Sequence, residues 1–199
     1  MEMVQHNPDI VAYLAADEAI DHGHPLVRET AARLRIGHDD AYSYAEAAYE
    51  YVRDTIPHSF DTDDQRVTWR ASDVLALRTG ICYAKSHALA ALLRAGSVPA
   101  ALCYQRLADD DGGAPVVHGL VALRLPGRPS WARQDPRGNK PGVDARFSLG
   151  EERLAWTVRP EFSEVDYPVL YDAPHPAVLG ALKAASDRNH LGRTLPTAL

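Results

Sequence analysis

The segment from Cys82 to Ala95 constrains this chain more than any other. Its apolar positions Ala84, Ala88, Leu89, Ala91, Leu92 and Ala95 recur at helical spacing yet cover more than one face. A helix that is apolar on more than one side has to be enclosed, so it belongs at the centre of the fold. Gly80 supplies the turn before it and Gly96 the stop after it. Lys85, His87 and Arg94 interrupt the run and keep it far from membrane-spanning length.

Helices precede this segment and strands follow it. Asn7-Pro8 reads as an N-cap and first helical position, opening a helix through Ile20. A second helix is expected from about Pro25 to Ile36, stopped by Gly37, and a third from Asp39 or Asp40 to about Val52. An irregular polar stretch, Asp54 to Arg70, is long enough to form a lid. Ser72-Asp73 caps a short helix ending at Gly80. Beyond Pro99 the period becomes two. Strands are expected at Ala101–Leu107, Val116–Leu125, Trp131–Asp135 and around Leu154–Val158, with a turn at Asp109–Gly113. A short helix from about Pro176 to Ala185 then leads into a polar end read as disordered. The fold class is α+β, with helices packed on one side of a small antiparallel sheet.

Cys82 opens the central helix. A thiol at a helix N-terminus lies at the positive end of the macrodipole, which favours the nucleophilic thiolate. Downstream, His118 opens one strand and Asp135 closes another. In an antiparallel hairpin, opposing residues share a face and the sum of their numbers is constant. An even connection after Leu125 makes that sum odd, which puts His118 and Asp135 on one face. A two-residue Pro126-Gly127 turn sets them directly opposite, but its preferred twist suits hairpins poorly. A four-residue connection, Pro126 to Pro129, leaves them diagonal neighbours. The carboxylate then fixes the imidazole, and the imidazole activates the thiol. Asn139 and Asp144 are rivals for the orienting role, and Cys103, mid-strand, reads as packing.

These residues sit in recognisable company. Ala71-Ser72-Asp73-Val74-Leu75 and Gly80-Ile81-Cys82-Tyr83-Ala84-Lys85-Ser86-His87 resemble the nucleophile segment of bacterial transglutaminase-like proteins. So do Tyr104-Gln105-Arg106-Leu107, His118-Gly119-Leu120 and Asp135-Pro136-Arg137-Gly138-Asn139-Lys140, and upstream Ile56-Pro57-His58-Ser59. The resemblance spans roughly Tyr13 to Tyr171. It implies a papain-like core in a single transglutaminase-like domain over 1–199, with a helical part at about 8–54 and a catalytic core at about 70–171. It also implies Cys82 as nucleophile, His118 as general base and acid, and Asp135 as orienter. The expected chemistry is cysteine-dependent acyl transfer: amide or peptide hydrolysis through a thioester, with transamidation or a non-catalytic binding module as alternatives. The backbone N–H of Cys82 is one natural oxyanion donor, and Gln105, Trp69 or Tyr83 are candidates for a second.

Composition narrows the partners. A net charge of -6 over 199 residues, without a basic run, argues against nucleic acid, and the resemblance implies a protein or peptide substrate. No membrane partner and no cofactor are expected. Met1-Glu2-Met3-Val4-Gln5 lacks a charged and an apolar leader region, so a cytoplasmic location with both thiols reduced is expected. His22-Gly23-His24, even with His58 or Asp21, lacks metal-ligand spacing and reads as loop-to-helix structure. Asp61-Thr62-Asp63-Asp64 reads as a solvated turn and Lys85 as an exposed lysine.

Overall fold

A computed structural model describes residues 1–109 and 113–199. A short strand β1 (Val4–Gln5) and a 3-10 turn (Ile10–Leu14) come first. Four helices follow: α1 (Pro25–Arg35), α2 (Ala41–Thr55), α3 (Ala71–Leu77) and α4 (Cys82–Ala95). Strands β2 (Ala100–Leu107), β3 (Val116–Leu123) and β4 (Ala132–Gln134) come next. Then come the short strands β5 (Val165–Asp166) and β6 (Val169–Leu170), and helices α5 (Pro176–Ala184) and α6 (Arg188–Arg193). The main sheet is antiparallel in the order β4-β3-β2-β5, and β1 pairs with β6 in parallel. This is the mixed α+β architecture expected, with the antiparallel sheet curled beside α4.

Helix α4 is buried from Cys82 to Arg94, and Leu89, Leu92 and Leu93 are fully enclosed. Truncating any of these to alanine in such a setting costs roughly 2–5 kcal/mol. The sheet sorts its side chains by the period-two rule. Leu102, Tyr104, Val117, Val121 and Leu123 join α4 in the larger core, whereas Ala101, Cys103, Leu120 and Ala122 pack with Tyr13 and Leu170 on the other face. His118 and Gln105 are paired across β2 and β3, on the same face as this second cluster.

Several boundaries differ from those expected, each for a local reason. The helix proposed for Asn7–Ile20 is only the 3-10 turn, capped by Asp9 rather than Asn7. Arg94 takes the Ala15 carbonyl at 2.6 Å, and Asp17 accepts from the Ala19 and Ile20 N–H groups at 2.7 Å each. Such side-chain bonds compete with helix. Ser72 is not the cap of α3 but lies inside it. Its N–H and hydroxyl both donate to Asp21, at 3.0 and 2.5 Å, and the helix ends at Leu77 with Arg78 in the left-handed region. The strand expected around Leu154–Val158 is absent; β5 takes the edge beside β2 instead. The turn expected at Asp109–Gly113 lies partly outside the described residues. The polar end is ordered: it forms α6, and the Pro196 carbonyl accepts the Val117 N–H at 2.9 Å.

Candidate active site

Helix α4 begins with Ile81 in extended conformation and no side-chain cap. Its first turn is pressed against β3 because position 119 is glycine. A Cβ there would lie 2.8 Å from the Tyr83 ring and 3.2 Å from the Tyr83 Cα. The Tyr83 hydroxyl donates to the Val117 carbonyl at 2.5 Å, pinning the same turn to the same strand. Cys82 precedes Tyr83 and His118 precedes Gly119, so this close approach brings thiol and imidazole together. Gly119→Ala is therefore expected to lift the helix tip and slow alkylation of Cys82 by iodoacetamide at least tenfold. An unchanged rate would show that the contact does not set the thiol's position.

His118 Nε2 lies 2.9 Å from Asp135 Oδ2, and Cys82 is close enough to the ring to favour its protonated form. With Nε2 engaged by the carboxylate, Nδ1 is the nitrogen left to serve the thiol. The register explains the first contact. Val121 opposes Gln134 and Leu123 opposes Ala132, so opposing numbers sum to the value a four-residue connection would give. His118 and Asp135 are diagonal neighbours on one face, although pairing stops at Leu123 and Ala132 and Asp135 falls just past β4.

Asp135 is fully buried. Its Oδ2 also accepts the Ala155 N–H at 3.0 Å, and its Oδ1 accepts the Arg137 N–H at 3.0 Å. The first of these contacts falls within 154–158, where a strand was expected: the Ala155 N–H serves the carboxylate instead of a neighbouring strand. Burial by itself would raise this carboxyl, but the His118 imidazolium and the two N–H groups hold it below its ordinary range. Burial likewise disfavours the His118 cation. The Asp135 carboxylate and the Cys82 thiolate outweigh it and raise the imidazole to about 10. Trp156 meets the His118 ring edge-on at 5.0 Å and 88°.

A cavity of about 360 Å³ opens beside Cys82, with Phe60, Leu107, Val116, Trp156 and Leu195 among its largely apolar walls. Its cations are matched by anions. Arg137 is bidentate to Asp61 at 2.6 and 2.8 Å, and Arg159 is paired with Glu164 at 2.6 Å. Asp61 is thus a partner of the site rather than part of a solvated turn.

The other sequence candidates are placed elsewhere. The Gln105 amide donates to Asp166 at 2.9 Å, the Tyr83 hydroxyl is on Val117, and Trp69 lies under Arg70 and Lys183. None of the three is among the residues lining the cavity at Cys82. Asn139 clamps Ala145 through both amide atoms, and Asp144 is an exposed partner of Arg146. His24 caps α1 and His22 bonds the Leu14 carbonyl. Cys103 is buried and its thiol is pushed up to about 12 by that burial. Lys85 is fully buried, not exposed; its Nζ donates to the carbonyls of Ile56 and Arg53 at the end of α2.

One residue was missed. The Cys82 N–H donates to His58 Nε2 at 3.1 Å, and His58 also lines the cavity. The stretch Asp54–Arg70 carries it to the helix tip and is pinned there by a bridge between His58 and Gly80. Pro57-His58-Ser59 was visible as a motif, but nothing in its spacing pointed to Cys82.

The family described as the transglutaminase-like superfamily matches residues 28–136. No curated protein matches the sequence. Among solved structures, a candidate cysteine protease from Cytophaga hutchinsonii is similar at 19% identity and a TM-score of 0.54, over 66% of this chain and 43% of that one. The periplasmic domain of TgpA from Pseudomonas aeruginosa, bound to ethylmercury, is similar at 20% identity and a TM-score of 0.47, over 62% of this chain and 46% of its own. The chain thus spans less than half the length of these structures.

Proposed function

The chain belongs to the transglutaminase-like superfamily, and from that premise we propose that it is a cysteine-dependent acyl-transfer enzyme that hydrolyses amide or peptide bonds. The observation that carries this reading is the line from the Cys82 thiol through His118 to the buried Asp135 carboxylate, set at the edge of an apolar cavity. Cys82 is the nucleophile. Its thiolate adds to the carbonyl carbon, and the carbonyl π pair moves onto oxygen. His118, as imidazolium, gives its Nδ1 proton to the leaving amine as the C–N bond breaks, leaving a thioester. The neutral ring then takes a proton from water, hydroxide adds to the thioester, and the thiolate leaves. Asp135 stays ionised throughout and holds the ring with Nδ1 toward sulfur.

The apolar, charge-balanced walls suit an uncharged acyl side chain on a protein or peptide donor. A peptide-amide donor supplied with a labelled primary amine tests the reading. Release of free acid that disappears in Cys82→Ala is expected. Amine incorporation well above hydrolysis would convert the assignment to transamidation, and turnover by Cys82→Ala would overturn it.

A further inference from the structure

Acyl transfer on Cys82 places a negative oxygen next to the first N–H of α4, so what already touches that N–H matters. It is His58. A backbone N–H can only donate, so His58 Nε2 accepts and the ring is neutral with its proton on Nδ1. That Nδ1 is buried without a hydrogen-bond partner, on a side chain that is 9% exposed. The site without substrate therefore encloses an unsatisfied donor, an arrangement proteins avoid unless something else uses it. Gln105 and Tyr83 are committed to other partners, and Trp69 is not among the residues lining the cavity at Cys82.

We propose that His58 is the second oxyanion donor of this site: the oxygen that forms on attack by Cys82 enters between the Cys82 N–H and His58 Nε2, with the ring in its Nε2–H tautomer. The inference rests on the acyl-transfer reading of Cys82. The change of tautomer is balanced, since one proton leaves Nδ1 and one arrives at Nε2 through solvent, with no change in charge. It also relieves the empty site's defect, because a bare Nδ1 lone pair replaces a buried N–H. The interaction is therefore stronger when the oxyanion is present than when it is absent, which is what accelerates a chemical step. Burial, with the Arg137 guanidinium nearby, lowers the His58 imidazolium to about 3, so the donor is a neutral imidazole across the physiological range. A cation there would compete with His118 for the thiolate.

Two reactions of Cys82 separate this role from a structural one. Acylation by p-nitrophenyl butyrate passes through an oxyanion, whereas alkylation by iodoacetamide displaces iodide and forms none. His58→Phe is expected to slow acylation about 10²-fold or more, while alkylation mapped to Cys82 stays within threefold. His58→Gln, whose amide can offer a donor near the Nε2 position, is expected to recover at least tenfold of the lost acylation. Equal slowing of both reactions in both variants would assign His58 to holding the helix tip and overturn the inference. Unchanged acylation in His58→Phe would overturn it while leaving the acyl-transfer reading intact. Failure of the unmodified protein to form an acyl adduct on Cys82 would overturn that reading, and the inference with it.

Discussion

Asp135→Asn is expected to lower kcat by about 10³–10⁴-fold and to pull the alkaline limb of the pH–rate profile toward neutrality. The carboxylate is what keeps the buried His118 charged: burial pushes the imidazolium down, and Asp135 is the largest opposing influence, with Cys82 next. Activity that needs the imidazolium as general acid is retained below the folded value, about 10, and lost above it. Without the carboxylate, burial prevails and that loss begins at lower pH. The amide also cannot satisfy its neighbours. Oδ2 meets His118 and the Ala155 N–H, and Oδ1 meets the Arg137 N–H, so an NH₂ in either position faces a backbone donor. If the amide nitrogen takes the Oδ2 side, the imidazole also turns to the wrong tautomer for meeting sulfur. If it takes the other side, the Arg137 N–H is orphaned, at a cost of roughly 1–3 kcal/mol. Profiles of kcat against pH for the two proteins check this. An unshifted limb with unchanged kcat would reduce Asp135 to a strut.

The pairing of His118 with Asp135 was legible because hairpin register is arithmetic. The observed sum of opposing numbers is the one the four-residue connection gives, even though the paired strands stop short of it. The central helix was legible because only enclosure explains apolar residues on more than one face. What escaped was whatever depends on groups far apart in sequence. Asp21 satisfies the start of α3 from a distance of 51 residues, and Arg94 draws carbonyls from Ala15, Ala100 and Asp172 around itself. Neither pairing has a periodic signature. Residues 154–158 looked like a strand because their pattern is apolar, yet the Ala155 N–H is spent on a carboxylate. Lys85 is the sharpest case. On the sequence it is one turn from Cys82 on a helix whose charged residues ought to face water. In the fold its amino group donates to the C-terminal carbonyls of α2.

That buried lysine leads to the second large effect, a pH-dependence of stability that the native protein conceals. Burial lowers Lys85 from 10.5 to about 7, with Arg137 adding to the fall and Asp135, Asp61 and Asp54 opposing it. Between those values the unfolded chain holds the proton and the folded one does not, so this group makes stability rise with pH. His118 has the opposite sign. Its folded value, about 10, exceeds its ordinary 6.5, so its contribution is complete below 6.5 and is lost as pH rises toward 10. Folding in effect moves a proton from Lys85 to His118, and the two slopes offset one another. From pH 7 to 9 each amounts to about 3 kcal/mol at most, at roughly 1.4 kcal/mol per tenfold change in proton activity. Lys85→Met removes one slope and leaves the other. Its stability, relative to the parent, is therefore expected to fall by about 2–3 kcal/mol between pH 7 and 9. The unsatisfied Ile56 and Arg53 carbonyls lower the whole curve by a further constant of about 1–3 kcal/mol. His118→Gln is expected to tilt the other way. Urea midpoints across that range measure both, and using differences from the parent cancels the titration of Cys103 and the buried tyrosines. Parallel curves for Lys85→Met and the parent would show that Lys85 keeps its proton inside the fold, bound to the α2 carbonyls as a cation.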